Sequence, residues 1–389
     1  MHSELNPFVP GSGLTPHELV GRDEEIIAFD LTVARTRARR PSRGMVLHGL
    51  RGVGKTVLLN RLREHAERMG WLVVELEGRP DGREQEKVRF GRALLRGASR
   101  LYEGAHPSQS LLDALGSAKS FANSQGIRTD GLGFQAVAGR SDSGQLEVDL
   151  EELVEDLSVA MRESSSATGI FIDEMQDLDP ELLSALLSVQ HRAGQKGWPF
   201  YIIGAGLPGL PASLSGMRSY AERLFDYRHI GPLDEGHARE AFVAPVERLG
   251  ASIEDGALRQ LLDAARGYPY FIQTYGQAAW DVAETKMITE TDAVRAIALG
   301  NAELDMGFFL SRWERVTPSQ RAYLHAMAEL EGDVYTTSDI AERLGKPLSK
   351  LSVVRQSLLE KMLVFAPERG KLAFSVPGMP AYIRRQHDE

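Results

Sequence analysis

Gly49-Leu50-Arg51-Gly52-Val53-Gly54-Lys55-Thr56 stands between an apolar run, Met45-Val46-Leu47-His48, and a stretch with helical spacing through Leu58, Leu59, Leu62 and Ala66. It satisfies the pattern G-x-x-x-x-G-K-[ST] at every fixed position. An anion demands these residue types. Glycines let the backbone fold tightly and turn successive N–H groups toward one centre. The helix that follows adds roughly half a positive charge at its N-terminus. Lys55 is then placed to reach the β- and γ-phosphates of a nucleotide, and the Thr56 hydroxyl to ligate Mg²⁺. Gly49, Leu50, Arg51, Gly52, Val53, Gly54, Lys55, Thr56 and Val57 form the candidate phosphate-binding loop. The strand before it and the helix after it set it apart from a chance glycine-rich turn.

A second signal lies downstream. Gly169-Ile170-Phe171-Ile172-Asp173-Glu174 ends a buried strand on two carboxylates. Parallel strands present their C-terminal ends at the ligand crevice, where the phosphate loop also belongs. Asp173 is expected to hold Mg²⁺, and Glu174 to orient and deprotonate an attacking water. Without the upstream loop the pair would read as a helix N-cap. Asp177 and Asp179, before Pro180, are expected to start the next helix.

Strand and helix alternate around these motifs. Short apolar strands are expected at Met45, Trp71, Gly169, Phe200 and Tyr227, with helical stretches between them. One helix opens after Gly21 and carries Ile26, Ile27, Phe29, Leu31 and Val33. This is the pattern of an α/β fold with a parallel sheet covered on both faces. Val88 to Lys119 and Val148 to Arg162 read as helical. Between them, Gly126 to Gly144 is rich in Gly, Ser and Asp and reads as a hairpin or a mobile insertion. After Pro232 the strand signal stops and four helical patterns follow. From Thr317-Pro318 the order helix, helix, helix and hairpin describes a winged helix–turn–helix.

The 389 residues suffice for two or three domains at roughly 100–200 residues each. With 45 basic and 54 acidic residues the net charge is −9, which argues against coating nucleic acid by bulk charge and leaves room for a local basic patch. The chain contains no cysteine, which excludes a disulfide scaffold, a thiol nucleophile and Cys-ligated metal. No signal peptide is visible, and a cytoplasmic setting is expected. The uncharged stretch from Trp198 to Met217 holds Pro199, Pro208 and Pro211, so it is expected to be a buried strand and then a loop, not a membrane span.

Taken together, these residues resemble an AAA+ type P-loop ATPase of the additional-strand class, closest to the branch of archaeal ATPases, origin-recognition initiators and STAND signalling ATPases. The resemblance runs from about Val20 to Arg385. It implies an extended segment over residues 1–19, an ATPase domain over 20–232 with an insertion around 120–147, a helical lid over 233–305 and a winged helix over 306–389. It implies ATP or ADP and Mg²⁺ as bound groups. Val20-Gly21-Arg22-Asp23-Glu24 resembles the G-R-x-x-E motif whose backbone lies near the adenine. Arg266-Gly267-Tyr268-Pro269-Tyr270 resembles the lid motif whose proline, here Pro269, packs near the nucleotide. Arg223 sits where such proteins carry an arginine finger, with Arg218 as its rival and two surface arginines as the plain alternative.

Two departures stand out. The fourth strand ends Ile203-Gly204-Ala205-Gly206, with no polar residue to sense the γ-phosphate, and the lid has no clear basic second sensor. Both favour slow hydrolysis or a switch. No Asn-Lys-x-Asp motif for guanine is present. In the C-terminal block, Lys346, Lys350, Arg355, Lys361, Arg369 and Lys371 face two acids, Glu360 and Glu368, over the third helix and wing, a candidate DNA contact. Tyr335 and Phe365 read as core. The expected function is a slow ATPase whose nucleotide state is coupled to a DNA-binding winged helix. The alternative is a STAND-like switch or scaffold whose winged helix meets a protein partner. Either allows a homo-oligomer. A small-molecule kinase would need an acceptor pocket that nothing in the sequence specifies.

Overall fold

A computed structural model describes residues 1–11, 13–14, 19–80, 85–103, 108–129 and 132–386. The chain divides into two units, one of residues 22–48 and 55–229, the other of residues 1–21, 49–54 and 230–389.

The first unit is built on short strands, of which β1, β3 and β4 are almost wholly buried. Its elements are α1 (Asp23–Arg37), β1 (Gly44–His48), α2 (Lys55–Arg68), β2 (Leu72–Glu77), α3 (Glu86–Glu103), α4 (Gln109–Ser124), α5 (Leu146–Glu163), β3 (Thr168–Asp173), α6 (Pro180–Lys196), β4 (Phe200–Gly206), α7 (Leu210–Met217), α8 (Ala221–Leu224) and β5 (Phe225–His229). The five strands are parallel in the order β2-β3-β4-β1-β5. β4 therefore separates the strand that leads to the glycine loop from the strand that ends in Asp173. Val46, Ile172 and Ile202 are fully buried, as a sheet covered on both faces requires. Registers such as Met45↔Ile203 and Ile170↔Ile202 bring the strand ends to one edge.

Three local expectations are corrected. Leu210–Met217 is a helix, not a loop, because Pro211 falls in its first turn, where a missing N–H costs nothing. Ile27 and Leu31 do not join the core of α1; both are exposed while Phe29 and Val33 are buried. The stretch after α4 is no hairpin among the described residues (130 and 131 lie outside them). It is irregular and tied to α5, with the Arg140 guanidinium on Asp156 and the Ser143 N–H donating to Asp149 at 2.8 Å.

The second unit is mostly helical. It contains α9 (Glu235–Arg248), β6 (Ser252–Ile253), α10 (Asp255–Ala265), α11 (Pro269–Val282), β7 (Met287–Ile288) and α12 (Glu290–Leu304), continued by a π-helical stretch Asp305–Leu310. Next come α13 (Ser311–Trp313), α14 (Pro318–Ala328), β8 (Tyr335–Thr336), α15 (Thr337–Leu344), α16 (Leu348–Glu360), β9 (Val364–Phe365), β10 (Lys371–Phe374) and α17 (Met379–Arg385). Helix starts are set by local chemistry. Thr289 with Asp292, and Thr317 with Gln320, form capping boxes. Helices α14 to α16 and the antiparallel sheet β8-β10-β9 make a winged helix–turn–helix, to which α17 is added. Tyr335 lies in its core.

The N-terminal segment is more than an extended tail. Phe8 is buried against Phe242, Asn6 Nδ2 donates to the Gln277 carbonyl at 3.0 Å, and the Val9 N–H donates to Gln273 Oε1 at 2.9 Å, so the segment straps α11.

Candidate functional site

In the first unit, α2 begins at Lys55, and its second residue meets the end of β3. Thr56 Oγ1 donates to Asp173 Oδ2 at 2.7 Å, and the Glu174 N–H donates to Asp173 Oδ1 at 2.9 Å. Lys55 is buried. Burial pushes the Asp173 carboxyl above the usual carboxylate range; the hydrogen bonds from Thr56 and the Glu174 N–H and the charge of Lys55 pull it down, while the charge of Glu174 pushes it up. Glu174 takes a left-handed backbone conformation (φ 44°, ψ 47°), which ends the strand abruptly. For a non-glycine residue that conformation costs on the order of 1 kcal/mol. Such strain gathers where geometry is constrained by function. Asp179, as expected, caps α6, accepting from the Leu182 N–H at 2.9 Å.

These donors fit Mg²⁺. A half-buried carboxylate and a hydroxyl within hydrogen-bond distance of each other offer hard oxygen ligands. The carboxyl is held at a disadvantage by burial, which a bound cation would relieve. Among the described residues there is no cluster of three or more acidic or histidine side chains that could hold a metal alone.

In the second unit, residues Gly49–Gly54 are held by the lid and the winged helix. Gly52 (φ 79°) and Gly54 (φ 90°) lie in the left-handed region that favours glycine. The Tyr270 N–H donates to the Gly52 carbonyl at 3.1 Å, and the Arg51 N–H to the Ser375 carbonyl at 3.5 Å. Tyr270 stacks on Phe308 with ring centroids 5.0 Å apart, and the Arg312 guanidinium covers Phe308 at 4.7 Å. Pro269 opens α11 directly before Tyr270, so the lid motif stands beside the loop. The Leu233 N–H donates to the Gly267 carbonyl at 2.8 Å, and a Cβ on Gly21 would lie 3.1 Å from Leu233 Cδ2. Gly21 and the lid motif thus share one neighbour. Val20 is half-buried in this unit, while Arg22 is buried in the other, its pKa lowered by burial and raised by Glu25.

The arginine pair separates clearly. Arg218 donates to Ser184 Oγ at 3.0 Å and pairs with Glu147 at 3.3 Å. Arg223 is exposed. The basic C-terminal set divides too. Lys361 Nζ donates to the Arg315 carbonyl at 2.7 Å and to Gln320 Oε1 at 2.8 Å, Lys371 pairs with Glu368 at 2.9 Å, and Arg355 is half-buried. Lys346, Lys350 and Arg369 are exposed. Sequence reasoning missed Gln176, whose Nε2 donates to Glu174 Oε2 at 2.6 Å, and the Tyr270–Phe308 stack. The only signal for Gln176 was a polar residue two places beyond Glu174.

Residues 18–203 match the family described as the AAA ATPase domain. Residues 306–383 match a domain of unknown function, DUF8462. No curated protein matches the chain in sequence. A Walker-type ATPase of Pyrococcus abyssi is similar over 98% of this chain and 99% of its own, at 16% identity and a TM-score of 0.61, a likeness of fold. Cdc6p of Pyrobaculum aerophilum aligns over 99% and 97% at 15% identity and a TM-score of 0.47. The Orc1 protein of Aeropyrum pernix, solved in complex with DNA, aligns over 96% and 94% at 18% identity and a TM-score of 0.46. Among the described residues no helix is long and apolar enough to cross a membrane.

The raised Asp173 pKa gives the first unit a testable instability. Ionising this carboxyl is harder in the folded than in the unfolded chain. The penalty is absent at acid pH, sets in as pH rises past the unfolded value, and is complete above the folded one. Asp173→Asn should therefore raise the melting temperature of nucleotide-free protein at pH 7.5, on the order of 2–4 °C, and abolish further stabilisation by Mg²⁺ with nucleotide. Thermal scans with and without Mg²⁺–nucleotide check both; an unchanged Mg²⁺–nucleotide response would remove Asp173 as a ligand.

Proposed function

We propose that the protein binds ATP at Gly49–Thr56, hydrolyses it slowly, and couples its nucleotide state to a winged helix that contacts DNA. The observation that supports this reading is the hold on the glycine loop within one unit. The lid donates to Gly52 through Tyr270, and the Arg51 N–H is directed at Ser375, just beyond β10. A triphosphate needs the loop's main-chain N–H groups for itself. Filling the loop then competes with its bond to the C-terminal module.

The chemistry follows from the residues. The loop amides and Lys55 wrap the phosphates and offset the charge that develops on them. Thr56 and Asp173 would hold Mg²⁺, which when bound would supply further charge stabilisation to the phosphates. Glu174 accepts a proton as the oxygen of a water attacks the γ-phosphorus, and the bond to the ADP oxygen breaks, giving ADP and phosphate. The absence of a polar residue at Ile203-Gly204-Ala205-Gly206 is the reason to expect slow turnover. A second reading, a STAND-like switch that meets a protein partner, is favoured by the same Arg51–Ser375 contact, which ties the loop to the C-terminal module.

Lys55→Ala should lose ATP in equilibrium dialysis, while Glu174→Gln should retain it and release phosphate about 100-fold or more slowly. Normal turnover in Glu174→Gln would remove the base. Gel retardation at low salt should show DNA binding whose salt slope falls by about one for each of Lys346, Lys350 and Arg369 neutralised. No retardation would leave the switch reading. If Arg223 serves a neighbour's γ-phosphate, hydrolysis per subunit should rise with protein concentration in wild type and stay flat in Arg223→Ala. A flat wild-type dependence across the assembly range rejects the finger.

A further inference from the structure

β4 is hollowed at its end. A Cβ on Gly204 would lie 2.4 Å from Met175 Sδ, and one on Gly206 would lie 2.3 Å from Gln176 Oε1. Where a β4 side chain would begin, the Gln176 carboxamide therefore stands. Its orientation is fixed by its neighbours. The Leu207 N–H donates to Oε1 at 3.1 Å, so that atom must be the oxygen. The Nε2 protons then go to two carboxylates, Glu174 Oε2 at 2.6 Å and Asp177 Oδ2 at 3.1 Å. All three bonds agree with one amide orientation and none with its flip.

We propose that Gln176 is the positioning residue of the hydrolytic site, holding the Glu174 carboxylate in the attitude that accepts a proton from water, in place of the polar side chain that β4 lacks. The inference rests on the reading of Glu174 as the base. Glu174 follows β3 in a left-handed turn, and the Gln176 bond ties its side chain to the first amide beyond β4. A carboxylate whose plane is fixed from two strands keeps its alignment between turnovers. The glycines follow from this, since any side chain at 206 would displace the amide.

The test uses full-length Gln176→Leu, Gly206→Ala, the double variant, Gln176→Asn and Glu174→Gln, with ATP affinity, melting temperature and steady-state kinetics measured for each. Gly206→Ala keeps the glutamine and pushes aside its flexible end and the tip of the Leu210 side chain, so it remains informative if Gln176→Leu fails to fold. Both single variants should lose about 10–100-fold in kcat with KM and ATP affinity unchanged, because the loss lies in alignment. The double variant should be no worse than Gln176→Leu, since both act through one bond. Gln176→Asn, one methylene short, should not restore turnover. Single variants within twofold of wild type, beside an inactive Glu174→Gln, would overturn the inference alone. Losses that add in the double variant, or that fall on KM, would also overturn it. Full turnover in Glu174→Gln would overturn the base assignment beneath it.

Discussion

A half-buried carboxylate at the end of a parallel strand, answered by a hydroxyl from the first turn of a helix, is the constraint on which the first unit is organised. The Thr56–Asp173 bond joins α2 to β3, although β4 lies between β3 and β1, the strand that precedes α2. Burial raises the Asp173 pKa, and the hydroxyl and the Glu174 amide only partly oppose it. The fold keeps a charge where charge is costly. A hydrophobic residue of similar size would pack the same strand end at lower cost. A cation at this strand end would relieve that cost.

How much of this was legible in the sequence depended on the range of the interactions. Strands β1 to β4 could be read because a sheet covered on both faces writes continuous apolar runs, and the loop because left-handed turns write glycine. Val364–Phe365 and Lys371–Phe374 were legible as a hairpin because a polar turn separates them. Proline misled at Leu210–Met217, where its place in the first turn decides between loop and helix, and hydropathy does not record that place. Ile27 and Leu31 misled because helical spacing shows a stripe without showing what covers it. The strap of residues 1–9 on α11 was invisible, since Phe8, Asn6 and Val9 act on partners more than 200 residues away.

The candidate site divides along the same line. Gly49 to Thr56, Asp173 and Glu174 carry their chemistry in residue type and local spacing. The basic C-terminal set did not: Lys361 and Arg369 are both exposed, yet Lys361 is spent on Gln320 and the Arg315 carbonyl, which counting charges missed. A charge in the sequence becomes a surface charge only once its backbone surroundings are known. Arg218 and Arg223 make the same point in one helical neighbourhood, with Glu147 taking the first and leaving the second exposed.

The glycines of β4 tie these strands of argument together. Read alone, Gly204-Ala205-Gly206 is a loss, a strand that forgoes the polar group its position calls for. Beside β3 it is a cavity with a tenant. Met175 fills the space over Gly204, and Gln176 fills that over Gly206 with its polar end already bonded on both sides. Polar function in a buried sheet must be satisfied completely or left out, because a half-bonded amide there costs more than an apolar side chain. An amide supplied from the turn after β3 meets that condition through one main-chain donor and two carboxylate acceptors. A side chain grown from position 206 would have to displace the same amide to reach the same place, so the small residues on β4 and the glutamine after β3 are two halves of one structural choice.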